Sequence, residues 1–286
     1  MTVTLSNDQL EVNTTAAGGE MQSLKARGRE TLWQGDPAWW SGRAPILFPI
    51  IGPGPDGRIS VGDFEAEMGQ HGPARKSPFT LAAQDDLSCL WVLDDSEATR
   101  AQFPFAFRLE LGYRLDGGTL TASAEVINTG DRPFPFQLGF HPAFAWPLPG
   151  GEGQPHEITL ANGAEPALAR IDGPCLPDTR LPSPFRAGRL TLDPAQFEAD
   201  AMIFPDGAGP ALSYGVADGP RLDFRFDNLP HLAIWQKPGA PFLCIEPWQG
   251  MHALPGTGNQ LADRPGALIL APGARHRAAW SVTPRL

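Results

Sequence analysis

The segment Phe242–Trp248 carries a carboxylate among apolar residues. Glu246 follows the run Phe242–Ile245 and precedes Pro247 and Trp248. Burying a carboxylate is costly unless it has a partner, so Glu246 indicates either a proton-transfer group or a structural ion pair. The indole of Trp248 either packs in the core or offers a flat apolar face to a ring-shaped ligand. The segment therefore predicts a site that accepts or releases protons.

A histidine in a second apolar segment is a candidate partner for that carboxylate. His141 lies among aromatic residues in Leu138–Phe144, and Pro142 restricts the backbone beside it. Burial lowers the pKa of a histidine and leaves the imidazole free to exchange a proton. His141 is therefore either a general acid or base, or a hydrogen-bonded core residue.

The segment Gln70–Arg75 places an imidazole and a guanidinium beside a glycine. Gly72 separates His71 from Pro73, and a glycine lets the backbone approach a ligand closely. The Arg75 guanidinium can hold sugar-type hydroxyls or a phosphate through two donors, or form a surface ion pair. His71 is either part of the same site or a structural residue.

Other motifs argue against cofactor chemistry. Gly52–Gly57 matches the spacing G-x-G-x-x-G, but two prolines remove backbone donors and a hairpin follows, so a turn is predicted. The three cysteines, Cys89, Cys175 and Cys244, are widely spaced and predict free thiols. The histidines show no metal-ligand spacing. The sequence thus predicts neither a metal site nor a cofactor.

Charge and hydropathy limit the partners. The chain has 286 residues, 22 Lys plus Arg against 32 Asp plus Glu, and a net charge of −10 without a basic run. Such a chain does not attract nucleic acid or anionic lipid. The N-terminus does not resemble a signal peptide and no segment is apolar enough to span a membrane. We expect a cytoplasmic protein with a small neutral ligand.

The elements that must position these residues read as strands. Phe105–Leu115 alternates apolar and mostly polar residues, turns at Asp116–Gly118 and resumes over Leu120–Val126, which predicts a long hairpin. The 32 glycines and 31 prolines leave little room for long helices. Further short strands and hairpins are predicted at Val3–Leu5, Leu10–Val12, Arg58–Val61, Phe64–Met68, Leu222–Phe226, Leu232–Trp235, Phe242–Ile245, Leu268–Leu270 and Ala278–Val282. The pattern predicts an all-β sandwich or barrel, with one helical turn near 193–197 and a long loop over 148–184.

Four segments, taken together and in order, resemble the aldose 1-epimerase (mutarotase) family, most closely its bacterial mutarotase-like branch. They are Ala44–Gly52, Gln70–Arg75, Gly139–Phe144 and Pro241–Trp248. The resemblance runs nearly end to end. It implies a large antiparallel β-supersandwich with little helix, formed by residues 1–286 as a single domain.

The resemblance also implies an activity and its residues. The family interconverts the α and β anomers of a free aldose without a cofactor, so the chain would be an isomerase. Glu246 would be the base and His141 the acid, and His71 would hold or polarise the ring oxygen. The remaining sugar-binding candidates are Arg75, Asp200, Trp248 and, as a second cation, Arg43. Pro73 and the stretch Gly52–Gly54 depart from the family pattern and affect the choice of sugar.

Two alternatives stay open on the same scaffold. A hexose-phosphate mutarotase would require Arg43 and Arg75 to converge on one end of the site. A non-catalytic sugar-binding module would share the fold without the reaction.

A glycoside hydrolase needs two flanking carboxylates, and only Glu246 has a suitable setting, so hydrolysis is disfavoured. We expect a monomer or a homodimer.

Overall fold

The computed structural model describes residues 1–286, which form 23 strands, one short α-helix and three 3-10 helices. The α-helix, α1, is Glu97–Arg100, and the 3-10 helices are Ala74–Lys76, Pro194–Phe197 and Leu261–Asp263. In chain order the strands are β1 (Thr2–Ser6), β2 (Leu10–Thr15), β3 (Met21–Ala26), β4 (Arg29–Glu30), β5 (Ile46–Leu47), β6 (Arg58–Val61), β7 (Phe64–Glu67), β8 (Thr80–Gln84), β9 (Ser88–Asp94), β10 (Phe107–Asp116), β11 (Thr119–Asn128), β12 (Phe134–Phe136), β13 (Leu138–Phe140), β14 (Ala143–Ala145), β15 (Glu157–Leu160), β16 (Arg189–Thr191), β17 (Met202–Phe204), β18 (Ala211–Gly215), β19 (Arg221–Asp227), β20 (His231–Trp235), β21 (Phe242–Gln249), β22 (Leu268–Leu270) and β23 (Arg275–Arg285).

Two large antiparallel sheets make the frame. The first has nine strands in the order β16-β15-β18-β19-β23-β11-β10-β9-β8. The second has the order β17-β20-β21-β13-β5, with β14 also paired to β21. A four-stranded sheet (β1 to β4) and the pairs β6-β7 and β12-β22 complete the structure. The prediction of an all-β antiparallel sandwich with little helix is confirmed.

The predicted hairpins occur where the alternation placed them. β10 pairs with β11 in a register that sets Leu115 opposite Leu120. The antiparallel pairs β1-β2 and β6-β7 form from the other strands predicted in the first 68 residues. Gly52–Gly57 forms turns and leads into β6 rather than into a helix. The structure therefore confirms the predicted turn.

Two sequence predictions need revision in detail. The helical turn near 193–197 is a 3-10 helix, with the Asp193 carboxylate capping the Ala195 amide and Pro194 at its first position. The segment 148–184 is not a loop throughout, because it contains β15. This strand pairs with β16 and β18, which follow the segment in the chain. Only Ile158 and Leu160 carry the apolar period of β15, and the surrounding Pro and Gly residues mask so short a signal.

The main core lies between the two large sheets. Phe144 of the second sheet packs edge-on against Phe224 and Trp280 of the first, with ring centroids 5.1 and 6.2 Å apart. The largest apolar cluster includes residues from Val3 to Val282, so both ends of the chain contribute to it. This packing fixes which face of the second sheet is turned away from the core.

Strand β21 divides its side chains between these two faces. Leu243 and Ile245 belong to the main core, whereas Cys244 and Trp248 belong to smaller apolar clusters on the other side. Alternate residues of a strand point to opposite faces, so Glu246 shares the outer face with Cys244 and Trp248. The site is therefore built on the face of the second sheet that the nine-stranded sheet does not cover.

Candidate active site

A cavity of about 330 Å³ opens on that outer face. Its volume is at the lower end of the range for small-molecule sites, roughly 300–1,000 Å³. It is lined by Trp40, Gln70, His71, Arg75, His141, Ile171, Asp200, Ala201, Ile203, Trp235, Glu246, Trp248 and His252. A larger surface depression beside Asp206 and Phe226 holds about 760 Å³, but none of its lining residues forms a buried acid–base pair. The smaller cavity is the candidate site.

Glu246 and His141 lie directly opposite each other across two strands. β21 pairs with β13 at Gly139–Trp248 and with β14 at Ala143–Cys244, in the same register. His141 lies midway between these pairs, so the register places it opposite Glu246. The His141 Nε2 atom is 3.3 Å from the Glu246 Oε2 atom. The two side chains predicted as acid and base are thus brought into contact.

Burial controls the protonation of this pair. Glu246 is 2% exposed and His141 is 8% exposed. Burial raises the pKa of Glu246 well above its ordinary value, and the Asp200 charge adds to this shift. Burial also lowers the pKa of His141 to about 3. Both shifts favour the uncharged forms of the two groups, a protonated carboxyl and a neutral imidazole.

His71 is held beside His141 by a strained backbone. Its φ is +67°, in the left-handed region that a histidine seldom adopts. The Gly52 amide donates a hydrogen bond to His71 Nδ1 at 3.0 Å, so the ring proton of the neutral imidazole lies on Nε2, which is 3.2 Å from the Gln70 side-chain amide. The rings of His71 and His141 are edge to face, 5.7 Å apart. Burial lowers the pKa of His71 well below its ordinary value, which makes it a neutral donor.

A buried arginine supports this part of the cavity from behind. Arg264 donates to the carbonyls of Ile51 and Pro53 and to the side chain of Gln137. Gln137 in turn receives the Ile51 amide and donates to Met251, so the segments on both sides of Gly52 are fixed together. Burial, followed by the Arg264 charge, lowers the pKa of His252 to about 3.

Asp200 and Arg75 lie at the more open side of the cavity. Asp200 is exposed and has φ +66°, and its carboxylate accepts the Ala201 amide at 2.7 Å. The Arg170 guanidinium donates to the carbonyls of Asp200 and Gln196 and so fixes this turn. Arg75 lines the cavity, and its buried Nε has no hydrogen-bond partner. Both residues lie where the sequence predicted sugar-binding groups.

Arg43 does not line the cavity, unlike the other predicted site residues. Its guanidinium donates to the Gln22 side chain at 2.6 Å, and its backbone amide donates to Glu20. These hydrogen bonds hold Arg43 against Glu20 and Gln22, at the start of β3, rather than at the cavity wall. The structure therefore leaves Arg75 as the only cation of the predicted pair in the lining.

Aromatic residues form one wall of the cavity. The Trp40 ring lies 4.9 Å from that of His141 at a 32° tilt, and Trp235 meets the same imidazole edge-on at 5.8 Å. Trp248 also lines the cavity, with its ring 6.0 Å from that of His252, and its buried Nε1 has no hydrogen-bond partner. Unpaired buried donors such as Trp248 Nε1 and Arg75 Nε are typical of sites that a polar ligand or ordered water completes.

Several residues in or beside the cavity were not predicted from the sequence. Cys244 lies on the same face of β21 as Glu246, and the two-residue period of a strand was the signal that could have found it. Trp235 lies opposite Cys244 in the register of β20 and β21, which only the strand order reveals. Trp40 and His252 come from loops, and no local pattern in the sequence predicts their place in the cavity.

Comparisons with known proteins identify the family of this chain. The aldose 1-epimerase family profile matches residues 1–172. The chromosomal and plasmid LacX proteins of Lactococcus lactis subsp. lactis are each 30% identical over 302 residues, covering 99% of both chains.

Two solved structures from Lactobacillus species are similar over the whole chain. They are a galactose mutarotase related enzyme from Lactobacillus acidophilus and a galactose mutarotase-like protein from Lactobacillus casei ATCC 334. Each is 26% identical, with a TM-score of 0.93. Each alignment covers 100% of this chain, with 98% and 100% of the respective structures.

No helix here has both the length and the apolar character needed to cross a membrane. With its fold, its cavity and these full-length relatives, the chain belongs to the aldose 1-epimerase family.

Proposed function

We propose that this protein is an aldose 1-epimerase that interconverts the α and β anomers of a free hexose. The observation that carries the proposal is the buried contact of His141 with Glu246, 3.3 Å apart, on the wall of a monosaccharide-sized cavity. Anomer exchange needs one group that takes a proton from the anomeric hydroxyl and one that gives a proton to the ring oxygen. A carboxylate and an imidazole supply these two functions.

The reaction uses the proton that the pair already holds. Moving it from the carboxyl to the imidazole gives a Glu246 carboxylate and a His141 imidazolium. Glu246 then accepts the proton of the anomeric hydroxyl while His141 donates to the ring oxygen, and the bond from the anomeric carbon to the ring oxygen breaks. Rotation about C1–C2 and the reverse transfers close the ring as the other anomer. No proton is gained or lost over the cycle.

The remaining lining residues have roles that suit a polyhydroxyl ring. His71 offers an Nε2–H donor to the ring oxygen, and Arg75 and Asp200 offer donors and acceptors to the hydroxyls. Trp40 and Trp248 present flat apolar faces, as sugar C–H groups require. We assign His71, Arg75, Asp200 and Trp248 to sugar binding on this basis, together with the newly identified Trp40.

A free sugar fits the charge of the cavity better than a phosphorylated one. The phosphate alternative requires Arg43 and Arg75 to converge, and the Arg43 guanidinium is bonded to Gln22 outside the lining. Asp200 also adds a negative charge to the wall. These observations support an uncharged hexose as the substrate.

Polarimetry on freshly dissolved α-glucose and α-galactose tests the proposal. We expect anomeric equilibration faster than the buffer blank, with Glu246→Gln and His141→Asn each lowering kcat by about 10²–10⁴-fold. Glu67→Gln on the exposed hairpin and His276→Asn on β23 are matched controls that keep full activity. No acceleration with a broad panel of free aldoses, by protein that binds them, would contradict the proposal and favour the sugar-binding module.

A further inference from the structure

A third ligand-type side chain lies against the His141–Glu246 pair. Cys244 is fully buried, is not in a disulfide and shares the outer face of β21 with Glu246. One ligand atom each from His141, Cys244 and Glu246 lies within 4.8 Å of the others. The register that brings His141 opposite Glu246 also sets the small residue Ala143 opposite Cys244 on one side, and Trp235 of β20 lies opposite Cys244 on the other.

We propose that His141, Cys244 and Glu246 form a binding site for a thiophilic divalent cation of the Zn²⁺ class. Zinc holds nitrogen, sulfur and oxygen ligands at about 2.0–2.3 Å, which separates the ligand atoms of a tetrahedron by about 3.3–3.6 Å. The 3.3 Å between His141 Nε2 and Glu246 Oε2 already meets this spacing. The Cys244 sulfur needs to approach by roughly 1 Å, a side-chain adjustment.

The charges of the three ligands balance the cation. A thiolate, a carboxylate and a neutral imidazole carry two negative charges, so a divalent ion makes the buried site neutral. A thiol and a carboxyl coordinate a cation only as thiolate and carboxylate, so cation binding displaces a proton from each ligand that holds one.

The imidazole already presents the nitrogen that this coordination needs. His141 Nε2 lies 3.3 Å from the Glu246 carboxylate, and the rings of Trp40 and Trp235 pack against the imidazole. His141 and Glu246 line the cavity, so water or a hydroxyl in the cavity can take the fourth position. Three protein ligands with one open position are the arrangement of accessible zinc sites rather than closed structural ones.

Occupation of this site inhibits the reaction, a consequence that rests on the proposed function. A cation on Glu246 and His141 removes the base and the acid together, so sugar turnover and cation binding exclude each other. Excess Zn²⁺ is then expected to stop anomer exchange in the wild-type protein, and a chelator to restore it. Cation binding itself does not depend on the proposed activity.

Titration of the full-length protein with Co²⁺ tests the site without measuring activity. We expect a thiolate-to-cobalt charge-transfer band that saturates at one equivalent and is displaced by Zn²⁺. In Cys244→Ala the band should disappear, and Zn²⁺ affinity measured by competition should fall by about a hundredfold or more. Cys175→Ala, which removes a more exposed thiol, should keep both.

Glu246→Gln provides a second test if Cys244→Ala does not fold. It should keep the thiolate band and bind Zn²⁺ at least about tenfold more weakly. A band that persists in folded Cys244→Ala, or wild-type protein with native circular dichroism and no band, overturns the site. A cobalt band in a protein that equilibrates no aldose leaves the site standing and overturns only the proposed function.

Discussion

His141 and Glu246 must exchange protons in a setting that disfavours charge. Their 3.3 Å contact provides the partner that a buried carboxylate needs. No hydrogen bond from a backbone amide or a cation stabilises the carboxylate, so its charge is stabilised chiefly when His141 carries the proton. The pair therefore sacrifices stability for reactivity, as functional sites commonly do.

Replacement of Glu246 by Gln is expected to stabilise the protein at alkaline pH. Burial raises the pKa of Glu246, so the folded state favours the protonated form. Stability is then lost as the pH rises from the unfolded-state pKa through the folded-state value. Gln keeps the shape and stays neutral, so the melting temperature of Glu246→Gln should exceed that of wild type at pH 8, with a smaller difference at pH 5. A lower melting temperature at pH 8 would contradict this reasoning.

Gly52 is expected to tolerate no side chain because of its contact with His252. Its φ is +71°, and a Cβ atom would lie 2.2 Å from the His252 ring. Gly57 has the same φ, and no atom lies within 4 Å of the position that its Cβ would take. The Gly57→Ala variant therefore measures the free-energy cost of the backbone conformation alone. Gly52→Ala should lower the free energy of unfolding by about 1–3 kcal/mol more than Gly57→Ala and reduce kcat. Equal effects in urea unfolding would show that His252 moves freely.

At the scale of elements, the break between β13 and β14 positions the catalytic pair. The strands pair with β21 on both sides of His141, and the Pro142 carbonyl accepts the Ile245 amide at 3.1 Å. The break releases His141 from regular pairing while the register holds it opposite Glu246. The catalytic pair thus rests on packed strands, whereas Asp200, Trp40 and His252 lie in loops that vary more easily.

The loop that presents Asp200 is expected to depend on Arg170. Its guanidinium donates to the carbonyls of Gln196 and Asp200, so Arg170→Met leaves these groups unpaired and the turn less ordered. We expect KM to rise by about tenfold with kcat changed by less than about twofold. Arg186→Met is a matched control, since Arg186 also donates to carbonyls of its own loop but lies far from the cavity lining. A fall in kcat at unchanged KM would contradict a role in positioning.

For the whole molecule, burial of histidines links stability to pH. All six have lowered pKa values, and burial is the first cause in each case. The unfolded chain therefore binds protons below about pH 6.5 that the folded chain does not, so stability falls as the pH falls.

Three of these histidines, His71, His141 and His252, share the cavity. Below about pH 6.5 they should together contribute a slope of up to about 4 kcal/mol per pH unit, opposed in part by Glu246. Urea unfolding at pH 8, 6.5 and 5 measures the slope. A midpoint that is unchanged between pH 8 and 5 would contradict it. The same curves test the prediction that residues 1–286 form one domain, since a single domain unfolds in one transition.

Local elements and the available chemistry could be predicted from the sequence. Alternation over Phe105–Val126 predicted a hairpin because side-chain direction in a strand depends only on the local backbone. Glu246 and His141 stood out because a polar group in an apolar segment needs a reason to be there. The family segments added the fold and the order of the site residues.

Which of these residues come into contact depends on the tertiary structure. Arg75, and Arg43 as a second cation, are both candidates in the sequence, yet Arg43 bonds to Gln22 and Arg75 lines the cavity. His141 meets Glu246 and Cys244 because β13 and β14 pair with β21, and His252 and Trp40 reach the cavity through loops. Sheet order and loop paths depend on packing between residues far apart in the chain, and no local pattern encodes that packing.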